Sequence, residues 1–153
     1  NSSAFLMNLK IFNLKLKMEP KVLLNSKGLG NSMSKQPPMK TYQGSCHCQA
    51  VQFEVDTDSA ELTTCNCSIC SRKNALMVKV HESSFRMLRG EESLTTYQFH
   101  THTAEHYFCK VCGIYPFHRK RVTPDYIGVN VYCLEGFDPT EIPIRATDGV
   151  GME

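Results

Sequence analysis

Hydrophobic and polar residues alternate with a period of two along several short stretches of this chain. Val51, Phe53 and Val55 alternate with Gln52, Glu54 and Asp56, which predicts a half-buried strand. Residues 75–80, 85–88, 95–99 and 105–108 predict four more strands. Residues 126–134, with Ile127, Val129, Val131 and Cys133 on one face, predict a sixth. Gly, Ser, Asp and His break these stretches and leave room for one short helix, expected after Cys70. The expected fold is therefore mostly β, a small antiparallel domain with one short helix.

The first forty residues follow a different pattern. Phe5, Leu9, Phe12 and Leu16 keep a helical period, yet Phe12, Leu14, Leu16 and Met18 alternate with Asn13, Lys15 and Lys17 as in a strand, and both readings stand. From residue 25 to 40 the composition shifts to Gly, Ser, Asn, Met and Pro, including Pro37-Pro38, which reads as a linker. The expected organisation is a basic, disordered segment and linker over 1–40 and one folded domain over 41–153. The first residue is Asn1 rather than Met, and the leading segment is expected to be a fragment, a processed product or an uncertain gene start.

Charge sharpens that division. Residues 1–40 hold seven Lys and one acid, a net +6, whereas residues 41–153 hold ten Lys or Arg and fourteen acids, a net −4. A folded part of that sign does not make the footprint of a nonspecific nucleic-acid binder, so nucleic acid or any other polyanion could be met only through residues 1–40. Lys10, Lys15 and Lys17 interrupt the apolar run that a secretory signal requires. The absence of Arg from this segment argues against a mitochondrial presequence, although its poverty in acids fits one. No run of apolar residues reaches the roughly 18–20 of a membrane-spanning helix. The expected location is the cytoplasm, with the nucleus and mitochondrion as the alternatives left by the leading segment.

Eight cysteines carry the chemistry. Seven of them fall into three tight groups, Cys46-His-Cys48, Cys65-Asn-Cys67-Ser-Ile-Cys70 and Cys109-Lys-Val-Cys112, with Cys133 alone. Thiolates on one turn converge easily on a tetrahedral ion at about 2.3 Å, whereas a disulfide between residues two apart is strained. Seven grouped thiols make one closed site of four and one site of three. Spacing assigns Cys65, Cys67 and Cys70 to the three-ligand site, because one knuckle offers all three sulfurs. Cys46, Cys48, Cys109 and Cys112 remain for the closed site. Two other readings stay open: that both ions are structural, Cys133 or a histidine completing the second set, and that the thiols form disulfides or bind nothing. Zinc is the expected metal, two ions per chain, although thiolate-rich sites also take iron.

The ordered set Gly44-Ser-Cys-His-Cys48, Val51-Gln-Phe-Glu-Val55, Cys65-Asn-Cys-Ser-Ile-Cys70 and His106-Tyr-Phe-Cys-Lys-Val-Cys-Gly113 resembles the glutathione-dependent formaldehyde-activating family, which includes centromere protein V. The resemblance spans roughly residues 41–138. Residues 94–102, LTTYQFHTH, look most like the centromere protein V branch, and Pro116-Phe-His118 departs from it. The resemblance implies a β-tent fold with two zinc ions. It implies that Cys46, Cys48, Cys109 and Cys112 hold a structural zinc, and that Cys65, Cys67 and Cys70 hold a second, with an open position for the glutathione thiol. The implied activity is that of a carbon-sulfur lyase run in reverse, which joins glutathione as co-substrate to formaldehyde as S-hydroxymethylglutathione. The small-molecule partners would be a thiol and an aldehyde. The alternative is a noncatalytic zinc-stabilised scaffold, a homo-oligomer that meets microtubules or chromatin through residues 1–40.

His47, His81, His100, His102, His106 and His118 are expected in ordinary surface or packing roles, with His102 and His106 the two that approach a substrate pocket. His47, between two ligands on a tight turn, is expected to point away from the ion. Cys133 is expected in the core. Residues 117–121, FHRKR, are expected to be a solvated loop, with reception of glutathione carboxylates as the alternative.

Overall fold

Alternation builds the strand at the centre of the domain. In β2 (Gln52–Thr57) Phe53, Val55 and Thr57 are buried while Gln52, Glu54 and Asp56 face outward. The computed structural model describes residues 37–152, so the helical, linker and targeting readings of residues 1–36 lie outside the described residues. β2 pairs antiparallel with β1 (Lys40–Ser45) on one side and with β5 (Phe85–Arg89) on the other, giving a three-stranded sheet.

The second sheet has seven strands in the order β10-β3-β4-β9-β8-β7-β6. These are β3 (Leu62–Cys65), β4 (Met77–His81), β6 (Leu94–Tyr97), β7 (Glu105–Cys109), β8 (Phe117–Arg119), β9 (Tyr126–Asn130) and β10 (Ile144–Thr147). Every pair is antiparallel except β10 with β3, which run parallel with Thr147 beside Cys65. The one α-helix of the described residues, α1 (Ser68–Lys73), connects β3 to β4. The fold is mostly β, antiparallel-rich, with one short helix, in agreement with the hydrophobic pattern.

Phe53 from the small sheet meets Phe117 from the large one edge-on at 5.4 Å, and Phe85 closes the cluster at 5.4 Å from Phe53 and 4.8 Å from Phe117. Each ring removes apolar surface worth roughly 1.5–3 kcal/mol, and each aromatic pair adds about 0.5–1.5 kcal/mol. Val51, Val55, Val78, Val80, Ile127 and Val129 fill the space around them. On the outer face of the small sheet, Arg86 bridges Asp56 at 2.6 Å and Glu54 at 3.2 Å. Arg86 holds the Asp56 carboxyl down at about 2, so the pair's small stabilising effect is present above the ordinary carboxylate range and fades as pH falls toward that value.

Three expectations change. The expected strand over 126–134 stops at Asn130, whose side chain accepts from the Tyr132 N–H and turns Val131–Cys133 into a short 3-10 helix. Val131 and Cys133 stay buried all the same. The helix begins at Ser68 rather than after Cys70, so Cys70 lies within it. Residues 117–121 are not a solvated loop: Phe117 is core, Phe117–Arg119 is β8, and Lys120 and Arg121 are half-buried. Strands β1, β3, β8 and β10 lack a readable alternation because backbone pairing, more than side-chain burial, holds them; β10 has no buried residue at all.

In both sheets an aromatic or imidazole ring lies over a cross-strand glycine, Phe53 over Gly44 and His118 over Gly128. A Cβ at Gly44 would overlap Cε2 of Phe53, and that ring is locked against Phe85 and Phe117. Gly44→Ala is therefore expected to destabilise the domain by about 1–3 kcal/mol in urea unfolding. A change within about 0.5 kcal/mol would show that the ring has room to move.

Candidate metal centre

Two turns carry the four-cysteine cluster. The first joins β1 to β2: Cys46 N–H donates to Val51 O at 3.1 Å, Gln49 N–H to Cys46 O at 3.0 Å, and Val51 N–H to Cys46 Sγ at 3.3 Å. The second follows β7 and repeats the pattern, with Cys109 N–H donating to Ile114 O at 2.9 Å and Gly113 N–H to Cys109 O at 2.8 Å. Gly113 takes φ +74°, a left-handed conformation that favours glycine. Each turn thus presents two thiols on one side of a closed loop.

The two turns meet. Cys46, Cys48, Cys109 and Cys112 place their sulfurs within 4.8 Å of one another. Cys46 and Cys48 lie 3.6 Å apart, Cys48 and Cys109 3.7 Å apart. Sulfurs at about 2.3 Å from a common centre stand about 3.8 Å apart in a tetrahedron, so the spacing fits a thiolate-bound ion. All eight cysteines are free of disulfides. Burial pushes the Cys46 thiol up to about 12, against the lowering by the Val51 N–H. Burial raises Cys112 too, but the N–H groups of Cys48 and Ile114 and the neighbouring sulfurs outweigh it and bring that thiol down to about 6. Such a cluster gives up protons to a cation.

Cys65, Cys67 and Cys70 form the second cluster, again within 4.8 Å. Cys65 ends β3, Cys67 stands at the N-terminal boundary of α1 and Cys70 lies in its first turn. The C-terminal segment clasps this turn. Asn66 Oδ1 accepts from Gly149 N–H at 2.7 Å and Val150 N–H at 3.1 Å, Asn66 Nδ2 donates to Asp148 at 3.0 Å, and Thr147 Oγ1 donates to Thr64 O at 2.6 Å. Gly149 is buried directly against Cys65 and Cys67.

The three-cysteine cluster opens on a cavity of about 380 Å³, and the four-cysteine cluster does not line it. Lys73, Lys79, Lys120, Arg121 and Arg145 line the cavity with no acid among its lining residues. Lys79 sits over the Tyr126 ring and Arg145 pairs with Glu61, whereas Lys73, Lys120 and Arg121 have no carboxylate partner among the described residues. Burial lowers both Lys73, to about 8, and Lys120.

The histidines divide. His106 is buried on the cavity wall, as expected of it. His102 is exposed at φ +54° and its carbonyl accepts from Gln98 Nε2, so it does not line the cavity. His118, expected in an ordinary role, is on the wall beside His106 with ring centroids 5.5 Å apart. His47 is exposed and belongs to neither cluster. Sequence reasoning missed Lys73, Tyr115, Asn66 and Gly149. Of these only Lys73 carried a signal, a cation three residues after Cys70 and so on the same side of a helix.

A family model described as glutathione-dependent formaldehyde-activating enzyme matches residues 41–145. The chain belongs to that family. A Rhodobacter sphaeroides protein of known crystal structure is similar in three dimensions, with a TM-score of 0.63 and 44% identity over 67% of this chain and 99% of that one. The matched region of the glutathione-dependent formaldehyde-activating family contains all seven grouped cysteines and ends before the Asp148–Val150 clasp. No helix of the described residues is long and apolar enough to cross a membrane.

The clasp makes a specific forecast. A Cβ on Gly149 would overlap Cys65 Sγ and stand 2.6 Å from Cys67 Cβ. Gly149→Ala is expected to weaken Co²⁺ binding at the three-cysteine cluster about tenfold and to leave the four-cysteine cluster unchanged, read from thiolate-to-cobalt absorption. Unchanged affinity at the three-cysteine cluster in the variant would show that the clasp does not shape it.

Proposed function

We propose that the chain binds glutathione by its thiol at the Cys65, Cys67 and Cys70 cluster and adds it to formaldehyde, giving S-hydroxymethylglutathione. The observation that carries this reading is the opening of the three-thiol cluster, alone of the two, onto a cation-lined cavity. Zinc is the ion proposed at both clusters, with Cys46, Cys48, Cys109 and Cys112 in a structural role. Family membership supports a small-molecule thiol and aldehyde as substrates. The domain is proposed to run over 41–153, with residues 1–40 appended to it.

A zinc ion at the three-cysteine cluster would supply a cationic centre that favours the thiolate form of an incoming thiol near pH 7. Three cysteine thiolates more than neutralise a divalent cation, so this donor set suits holding a thiolate better than polarising an aldehyde. The chain's part is to position. Lys120 and Arg121, without carboxylate partners among the described residues, face the cavity where a peptide-like thiol would carry its carboxylates. The reaction forms a carbon–sulfur bond, opens the carbonyl double bond and moves one proton from sulfur to oxygen, with no change of oxidation state overall.

Calorimetric titration of glutathione into protein verified to hold two zinc ions tests the reading. Saturable binding is expected, and Cys67→Ser should weaken it at least about tenfold while the four-cysteine cluster keeps its metal. Absence of binding to the two-zinc protein would contradict the proposal.

A further inference from the structure

The wall facing the three thiols carries a group of side chains that thiol capture does not require. Lys73 follows Cys70 by three residues and so projects from the same side of α1. Its Nζ lies 3.3 Å from His106 Nδ1 and 3.4 Å from the centroid of the Tyr115 ring, over its face. Tyr115 Oη is 3.0 Å from the same Nδ1. His106 comes from β7 and Tyr115 from the segment before β8, so three separate pieces of chain fix one ammonium. His106 and Tyr115 are both buried, at 4% and 6% exposure. Lys73, His106 and Tyr115 all line the cavity onto which Cys65, Cys67 and Cys70 open.

This arrangement has the form of a proton carrier more than of a structural pair. Burial, and then the Lys73 charge, hold His106 down at about 4, so near neutral pH its ring is uncharged and Nδ1 can accept from the ammonium. Burial raises Tyr115, which stays a neutral phenol. Lys73 Nζ thus contacts the neutral His106 and Tyr115, the charges that act on it are those of the thiols Cys70, Cys67 and Cys65, and His118 is stacked behind His106. No carboxylate pairs with Lys73 among the described residues. A surface lysine placed for solubility would be neither enclosed nor held by two buried rings.

We propose that Lys73 is the proton carrier of this site, with His106 and Tyr115 as its positioning residues. The inference rests on the thiol-addition reading above. The thiol S–H gives its proton to the Nζ amine as the thiolate forms. The carbon–sulfur bond then forms, the carbonyl π pair withdraws onto oxygen, and the Nζ ammonium passes the proton to that oxygen to make the hydroxyl. Lysine ends as the amine, ready for the next thiol, and no electrons enter or leave. An acid that titrates close to the working pH transfers protons with the least loss in either direction, and burial brings Lys73 to about 8.

The test compares wild type with Lys73→Arg, which keeps the positive charge but cannot release a proton. Both are loaded with zinc and checked for two ions per chain. Glutathione affinity is measured by calorimetry, and formation of S-hydroxymethylglutathione above the spontaneous rate by NMR exchange across pH. Lys73→Arg should bind glutathione within about threefold of wild type and lose roughly a hundredfold of the catalysed increment. The wild-type increment should rise with pH through about 8, as the Lys73 ammonium gives way to the amine that accepts the thiol proton, and the variant should lack that limb. A lysine-selective NMR titration of the wild type should find one amine titrating at the same pH, a readout independent of turnover. Tyr115→Phe, which keeps the ring under Nζ and removes the hydroxyl, should shift the limb without loss of binding.

Retention of the full increment and the same limb in Lys73→Arg would overturn the role of Lys73 while leaving the thiol-addition reading intact. Absence of glutathione binding in wild type would instead overturn that reading, and the proton carrier with it.

Discussion

Four sulfurs held 3.6–3.7 Å apart along two edges of the cluster, at van der Waals contact and without a bond between them, are the constraint from which the domain's geometry follows. Thiols at that distance repel once ionised, and the cluster is arranged so that a cation relieves the repulsion. The two turns that meet there belong to different sheets, one closing β1 against β2 and the other leaving β7. Their junction therefore fixes how the three-stranded sheet stands on the seven-stranded one, and the Phe53, Phe85 and Phe117 cluster fills the angle between them. A second tie lies nearby, where Glu135 N–H donates to Gln43 O at 2.8 Å beside the bridge from Gly44 to Leu134. A domain this small buries a limited core, so a metal ion at such a joint would contribute to folding as well as to shape.

The three-cysteine cluster is built differently because its ligands come from one short stretch of chain. Nothing distant has to arrive to bring its sulfurs together, and what does arrive, the Thr147–Val150 segment, presents backbone and a glycine rather than a fourth thiol. That leaves one side of the cluster facing the cavity, where lysines and arginines supply positive charge and His106, Tyr115 and His118 supply a planar, buried wall. The same side chains that hold the Lys73 ammonium in place also exclude water from it, which is why its proton is loosely held.

Much of this is legible in the chain itself, for definite reasons. β2 was readable because burial on one face forces a period of two, and the ligand groups were readable because a turn brings residues two to five apart together whatever the rest of the fold does. The bend after Asn130 was not, because Val131 and Cys133 remain buried whether the chain runs straight or turns, so hydrophobicity alone does not distinguish the two. β10 was not, since none of its side chains is buried and its place depends on parallel pairing with β3, about eighty residues earlier in the chain. Tyr115 and Asn66 acquire their roles only from tertiary neighbours, His106 and Gly149, and although the spacing of Lys73 from Cys70 places it beside the cluster, nothing local shows its contact with His106.

On the proposed reading the two clusters would hold ions of different character, one closed by four cysteines and one left with a position for a thiol. Cadmium-113 NMR of protein carrying two cadmium ions in place of zinc reads the number of sulfurs on each ion directly. The account predicts two resonances, one in the four-thiolate region and unmoved by glutathione, the other outside that region and moving toward it as glutathione is added. Two resonances that both lie in the four-thiolate region from the start, neither responding to glutathione, would contradict it.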